Sequence, residues 1–213
     1  MTSRIDLIPA DRSLLPVRIV TGPQLFLGRN REVCDLVSWF LPRDKPNDRE
    51  TLKLSQVHTL LERREDGFWV RDMDSASGTF LDGGKVPAGD GLRLRPRHDQ
   101  VLSLGGSYRV CLDWVSPLGG GTCALIPLAS GSAFRHCWWM AGDHMGLSIR
   151  KRGETGWLQA AECSPADEEL AVRRTGLGLA IEWGGSAEIL HGGASVTITL
   201  PEVGAITLHA AKG

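Results

Sequence analysis

The sequence predicts an all-β protein built as a sandwich of short strands. Glycine and proline, with 26 and 11 residues, interrupt the 213-residue chain every few positions. The intervening segments are short and rich in Val, Ile, Leu, Thr and Trp, which suit a pleated, half-buried surface. Few windows have the 3.6-residue apolar spacing of a helix, and the best of them, residues 168–174, is short.

The predicted strands of the first part of the chain are evenly spaced between turn residues. They are residues 5–8, 17–20, 25–27, 59–62, 68–71, 78–81, 91–94, 100–104 and 108–114. Residues 38–54 interrupt this series with a charged, proline-bearing stretch, which we predict to be an exposed loop.

A glycine-rich stretch at residues 116–122 divides the chain. Three consecutive glycines are costly to order, so we predict a linker there, between a first domain (1–115) and a second, smaller β-rich domain (123–213). The strands expected in the second domain are residues 136–141, 145–150, 157–161, 177–183, 187–190, 196–200 and 205–210.

The second domain also echoes the first. Residues 22–27 resemble 142–147, residues 79–86 resemble 188–196, and residues 102–112 resemble 198–208, all in the same order. This order favours a divergent duplication. The alternative is that two β-rich segments align by chance.

Charge and composition narrow the function classes. A formal net charge of -1 does not favour nucleic acid or an anionic membrane as a partner. The charged N-terminus leaves no room for a signal peptide, and no apolar run reaches the ~18 residues of a membrane span, so we expect a cytoplasmic protein. The five cysteines lack metal-ligand spacing, so free thiols are expected and no cofactor is predicted.

Three polar clusters could carry function. An apolar segment ends in Gly28-Arg29, residues 53–58 read Lys-Leu-Ser-Gln-Val-His, and residues 72–83 read Asp-Met-Asp-Ser-Ala-Ser-Gly-Thr-Phe-Leu-Asp-Gly. The third cluster predicts a turn-rich loop, a short strand and a hairpin turn. A guanidinium, a hydroxyl and free N–H groups suit an anion, and arginine is the preferred bidentate donor to phosphate.

Taken together, the clusters resemble the forkhead-associated (FHA) domain, a phosphothreonine-peptide binder. The family pattern is Gly-Arg, then Ser-x-x-His, then Asp-x-x-Ser-x-Asn-Gly-Thr-x-x-Asn-Gly, and it covers roughly residues 5–115 here. The resemblance implies an FHA-type β-sandwich whose loops at one end hold the peptide. It also implies a non-catalytic signalling adaptor, whose partner is the substrate of a Ser/Thr kinase. The glycine-, proline- and tryptophan-rich composition looks bacterial.

The resemblance assigns roles to individual residues. Arg29 and Ser55 would contact the phosphate, Lys53 and Gln56 would add contacts, and Ser77 would lie beside the peptide backbone. The residues expected to support the site are Gly28, His58, Ser75, Gly78 and Thr79. Two positions depart from the family, because Ser77 and Asp82 stand where it has asparagine. A serine offers one hydroxyl instead of an amide, and Asp82 adds a negative charge.

Two alternatives remain open. The first is a phosphate-independent assembly protein that keeps the fold, which Ser77 and Asp82 motivate. The second is an enzyme with a site around His136, Asp143 and His144, although no ligand or triad spacing supports it. The second domain lacks the Gly-Arg and Ser-x-x-His clusters, so we expect it not to bind phosphate. Its tryptophans, Trp138, Trp139, Trp157 and Trp183, are expected in a core or a domain contact.

Overall fold

The computed structural model describes residues 3–12, 14, 16–114, 121–128, 136–147, 169–200 and 203–211. Across these residues the chain is nearly all β with one short helix, which confirms the predicted fold class. The elements, in chain order, are β1 (Ser3–Pro9), β2 (Val17–Thr21), β3 (Gln24–Gly28), β4 (Leu36–Val37), α1 (Lys45–Leu52), β5 (Thr59–Arg64), β6 (Gly67–Asp72), β7 (Thr79–Leu81), β8 (Gly84–Lys85), β9 (Leu92–Arg93), β10 (Gln100–Leu104), β11 (Tyr108–Trp114), β12 (Thr122–Pro127), β13 (His136–Met140), β14 (His144–Leu147), β15 (Leu170–Thr175), β16 (Gly178–Trp183), β17 (Ser186–Leu190), β18 (Ser195–Leu200) and β19 (Gly204–Ala210).

The chain forms two compact units. The central unit comprises Pro23–Trp114 and Leu125–Ala133, and the terminal unit comprises Met1–Gly22, Val115–Ala124 and Phe134–Gly213. The predicted first domain, 1–115, differs from this division at its start. Strand β1 pairs antiparallel with β19 and strand β2 pairs parallel with β13, so the N-terminal hairpin belongs to the terminal unit.

Two sheets build the central unit. One has the order β4-β3-β5-β6-β9, and the other includes β8-β7-β10-β11. Alternate side chains of each sheet are completely buried, among them Leu27 and Leu61 in the first and Leu102 and Val110 in the second. Phe68 of β6 and Trp114 of β11 are in ring contact, with centroids 4.6 Å apart. The two sheets therefore pack face to face as a sandwich.

The terminal unit has its own sheets. Strands β18, β19, β1, β2 and β13 form one of them, and β14-β15-β16-β17 form the other. Trp138 and Trp139 are buried, and the Trp139 indole N–H donates to the Gly22 carbonyl at 2.9 Å. Trp183 is half-buried. The predicted core role is thus observed for the adjacent pair of tryptophans. Four of the cysteines, at positions 34, 111, 123 and 137, are buried thiols outside any disulfide.

Several predictions for the second part differ from the structure or lie outside it. The window 168–174, which has the best helix-like spacing, does not form a helix in its described part, because Leu170–Thr175 is a strand that pairs with β14 and β16. Most of the predicted linker (residues 116–120), the predicted strand 157–161, Trp157 and Cys163 lie outside the described residues. The duplication stays a prediction, although the paired segments 102–112 and 198–208 both form antiparallel hairpins.

The predicted loop at residues 38–54 contains helix α1 instead. Asp44 caps it, since its carboxylate accepts the Asn47 N–H at 2.8 Å, and a proline occupies the first turn. The buried Thr51 hydroxyl donates to the Asn47 carbonyl and accepts the Phe40 N–H at 3.0 Å. The helix is short and polar, and no helix in the described part of the chain is long and apolar enough to cross a membrane.

Replacing the cap tests whether α1 depends on it. Asp44→Ala removes the acceptor of the Asn47 N–H and should destabilise the helix by about 1 kcal/mol. Hydrogen exchange of the amides in residues 47–53 should accelerate accordingly. Lys45→Ala, which changes the next residue but no cap, is the matched control. Equal exchange in both variants would contradict the role of Asp44.

Candidate functional site

Strand register brings the three sequence clusters to one end of the central unit. Leu27, at the end of β3, is paired with Thr59 at the start of β5. Thr59 is in turn paired with Asp72 at the end of β6. The Gly28-Arg29 step, the segment before β5 and the loop after β6 therefore leave the sheet at the same edge.

His58 joins two of these loops. Its side chain is completely buried, its Nδ1 accepts the Ser55 N–H at 3.2 Å, and its Nε2 lies 3.1 Å from the Gly78 carbonyl oxygen. An Nδ1 acceptor requires the neutral tautomer with the proton on Nε2. Burial lowers the pKa of His58, and this outweighs the Gly78 hydrogen bond and the nearby Asp72 charge, which raise it. The imidazole is thus a neutral brace.

Asp72 holds the next loop through three short side chains. Its carboxylate accepts the Ser75 N–H and hydroxyl, at 3.0 and 2.6 Å, and the Thr79 hydroxyl at 2.6 Å. The Ser75 hydroxyl accepts the Gly78 N–H at 2.9 Å. Burial by itself raises the pKa of Asp72, but these hydrogen bonds outweigh it and leave the pKa below its usual value. The loop is therefore closed around an ionised carboxylate.

The same network connects the two sheets. Thr79 of β7 lies with its Oγ1 2.8 Å from Oγ1 of Thr59 on β5, and both residues are completely buried. Because the single Thr79 proton goes to Asp72, Thr59 is the donor in this pair. Strands from opposite sheets are thus hydrogen-bonded directly beneath the loops.

Arg29 lies where the loops meet. Its N–H donates to the Ser55 carbonyl at 3.2 Å and its Nε donates to the Leu54 carbonyl at 2.7 Å. These two contacts orient the guanidinium while its terminal nitrogens remain available. In the described part of the chain no carboxylate forms an ion pair with Arg29, which is half-buried.

The remaining predicted contact residues differ in the partners that their side chains already have. The Ser55 hydroxyl accepts the Ala76 N–H at 3.2 Å, and the exposed Ser77 hydroxyl donates to the Lys53 carbonyl at 3.3 Å. The Lys53 ammonium is paired with Glu50, so its charge is partly offset. The Gln56 side chain is exposed, while its backbone carbonyl accepts the Asn30 N–H at 3.1 Å.

Gly28 is required by close approach. A Cβ at this position would lie 2.4 Å from the Gln56 carbonyl oxygen, a distance that real Cβ atoms do not show. Gly78 has a different reason, because its φ of 79° is in the left-handed region. At both predicted support positions, glycine is therefore favoured by the backbone geometry.

Asp82 does not have a free carboxylate. It accepts the Val101 N–H at 2.8 Å and forms an ion pair with Arg97, also at 2.8 Å. Burial raises the pKa of Asp82, and the Val101 and Arg97 contacts more than reverse this and lower it. Its negative charge is thus offset by Arg97, which lies between β9 and β10.

The sequence did not reveal three parts of the site. These are the Leu54 carbonyl that orients Arg29, the Asp72–Thr79–Thr59 network between the sheets, and Trp39, whose indole N–H donates to the Arg29 carbonyl at 2.9 Å. The one available signal was the Asp72-x-x-Ser75 spacing, which is typical of a carboxylate that captures a turn. The other contacts join residues of different segments, between 7 and 25 positions apart.

The described residues offer no specific support for a metal site or for the enzyme alternative. Among the described residues no group of three His, Cys, Asp or Glu side chains could hold a metal ion. Asp143 is 88% exposed and lies 3.7 Å from Arg174. The side chain of His136 lies outside the described residues, so an enzyme centred there stays an untested prediction.

Comparisons with known proteins match part of this chain. The FHA domain family model matches residues 25–105. Two similar solved structures are the FHA domain of CT664 protein from Chlamydia trachomatis (20% identity, TM-score 0.30, covering 49% of this chain and 91% of that one) and the MEK1 FHA domain (23% identity, TM-score 0.29, covering 48% and 79%). No curated protein matches the sequence. FHA domains are in general non-catalytic modules of signalling proteins that bind phosphopeptides.

Substituting Gly28 tests the close approach to the Gln56 carbonyl. Gly28→Ala forces residues 55–56 away from β3 and should lower the free energy of unfolding of the central unit by about 1–3 kcal/mol. Urea denaturation measures it. Gly84→Ala is the control, because its added Cβ meets nothing nearer than 3.4 Å. Equal destabilisation by both substitutions would show that Gly28 is not held by contact.

Acidification tests the neutral His58 brace. Because its pKa is lower in the folded protein, opening of the loop takes up a proton below pH ~6.5. The contribution of neutral His58 to the stability of the closed loop is fully present above that pH. It is lost on acidification, by up to about 1.4 kcal/mol per pH unit. The protection factor of the Ser55 amide should therefore fall between pH 7 and 5.

The Val86 amide, which donates to the Thr79 carbonyl, is the internal control for this measurement. It should keep more of its protection, since its acceptor does not titrate. A Ser55 protection factor that stays constant down to pH 5 would contradict the tautomer assigned to His58.

Proposed function

We propose, from the premise that residues 25–105 form an FHA domain, that the chain is a non-catalytic adaptor that binds a phosphothreonine segment of a partner protein. Arg29 and Ser55 are the principal phosphate contacts. Lys53 and Gln56 add peripheral contacts, and Ser77 lies beside the peptide backbone. The partner is a cytoplasmic substrate of a Ser/Thr kinase.

The orientation of Arg29 carries the proposal. Its Nε is held by the Leu54 carbonyl and its peptide N–H by the Ser55 carbonyl, so the outer face of the guanidinium is presented in one direction. A planar fork with free terminal nitrogens matches two oxygens of a phosphate. A phosphothreonine brings a charge of about -2 at neutral pH, which such a site can neutralise.

The fixed loops support the same conclusion. The Ser55 hydroxyl can donate outward, because it already accepts the Ala76 N–H. His58 and Asp72 hold the surrounding backbone before any ligand arrives. Binding to a preorganised site costs less conformational entropy than binding that must order its loops.

Selection of phosphothreonine over phosphoserine would rest on one methyl group. A small apolar contact with the threonine γ-methyl supplies only ~1–3 kcal/mol, so this preference is expected to be modest. The measured ratio of the two affinities gives its size.

A phosphate-independent assembly role is the second candidate, and Ser77 favours it. The Ser77 hydroxyl is engaged with the Lys53 carbonyl and offers no amide to hold a peptide backbone. Asp82 no longer argues for this candidate, because its charge is offset by Arg97.

Peptide binding distinguishes the two functions. A phosphothreonine peptide library should bind the full chain at least tenfold more tightly than the same library without phosphate. Arg29→Ala should remove most of that difference, since a hydrogen bond to a charged group contributes about 1.5–3 kcal/mol. Isothermal titration measures both affinities.

Arg109→Ala is the matched control, since Arg109 is exposed on β11 of the same unit. It removes an equal charge and should leave the difference intact. Equal affinity for both libraries would reject the phosphopeptide function and support the assembly role. Circular dichroism of each variant shows that its fold is retained.

A further inference from the structure

A group of basic residues lies next to the proposed phosphate site, around Trp39. The Arg31 guanidinium carbon is 3.8 Å from the centroid of the Trp39 ring, and that of Arg43 is 4.5 Å away. The Trp39 indole N–H donates to the carbonyl of Arg29 at 2.9 Å. Two arginine side chains therefore stack on a ring that is hydrogen-bonded to the Arg29 backbone.

Arg31 is the member of this group that is free to bind an anion. Its side chain is exposed, and in the described residues no carboxylate forms an ion pair with it. Arg43 forms an ion pair with Asp48, so its positive charge is partly offset. Stacking on an aromatic face leaves the edge of a guanidinium, with its N–H groups, open to a ligand.

The turn that carries Arg31 is fixed to the phosphate site. Asn30 donates its N–H to the Gln56 carbonyl at 3.1 Å and accepts the Cys34 N–H on its own carbonyl at 2.9 Å. Its side-chain oxygen accepts the N–H of Glu32 at 2.9 Å. Arg31 is thus presented from a closed turn. Glu32 is the one acidic neighbour in that turn, and it is exposed.

We propose that Arg31, stacked on Trp39, is a second anion subsite that reads the residues flanking the phosphothreonine. The ligand is a peptide with a further anionic side chain close in sequence to the phosphothreonine, since Arg31 is two positions from Arg29 in the chain. This inference rests on the proposed function and defines the class of partner. A carboxylate and a second phosphate share the required chemistry.

A positional scan tests the subsite on the full chain. The reference is a singly phosphorylated peptide with neutral flanks. In one series an aspartate is placed in turn at each of the three positions on either side, and in another a phosphoserine takes the same positions. At one or more positions the aspartate should tighten binding about three- to fivefold, as expected for an exposed ion pair of about 1 kcal/mol at most. Phosphoserine should tighten it further.

Variants assign the gain to Arg31. Arg31→Ala should abolish the gain, taken for each variant as the ratio of its affinities for the anionic and the neutral-flank peptides, and Arg31→Glu should turn it into a penalty. Arg49→Ala, which removes an exposed charge from α1, is the matched control and should keep the gain. Raising the salt concentration should reduce the gain.

The outcomes separate this inference from the function on which it rests. A neutral-flank peptide that binds only when phosphorylated, with no gain at any position, would overturn the subsite alone. A gain that survives Arg31→Ala would do the same. Equal binding of phosphorylated and unphosphorylated reference peptides would overturn both proposals.

Discussion

The site depends on a buried imidazole that carries no charge. His58 accepts a hydrogen bond from the loop that bears Ser55 and donates one to the loop that bears Gly78, so a single ring sets the distance between them. Such a bridge requires one donor and one acceptor, which only the neutral tautomer provides. Burial favours that form, because the charged ring would lose its hydration. The arrangement of the loops therefore follows from the environment that the sandwich creates around this residue.

The second constraint lies one layer deeper, where Asp72, Thr59 and Thr79 are hydrogen-bonded to one another. The carboxylate organises the loop above it, and the two threonines connect the sheets below it. A buried polar network of this kind is stable only when all of its members have partners, and that requirement specifies one geometry. The exposed loops are consequently supported by the core of the sandwich, and the proposed recognition surface would be formed before a ligand binds.

In the proposed site, recognition would use one arginine that is oriented by the backbone and one that is exposed. Arg29 is half-buried and held by two backbone carbonyls, which favours direct contact with a phosphate. Arg31 is exposed and stacked on Trp39, which favours a weaker contact with a flanking residue. The indole N–H of Trp39 couples the two arginines through the Arg29 carbonyl. The affinity and the sequence preference of one surface would thus come from different arginines in neighbouring positions.

The sequence by itself determined the β class, most strands of the central unit, and the residues that gather at its end, because these features depend on local patterns of glycine, apolar residues and short polar side chains. It did not reveal helix α1, whose Asp44 cap lies within a stretch that reads as a polar loop. Tertiary structure alone decided that the hairpin of β1 and β2 pairs with β19 and β13, that Asp82 is offset by Arg97, and that Trp39 lies beneath Arg31. Each of these is a contact between residues of different strands or loops. The free energy of such contacts comes from burial and pairing in the folded chain. A local sequence pattern does not show which segments will be buried or paired together.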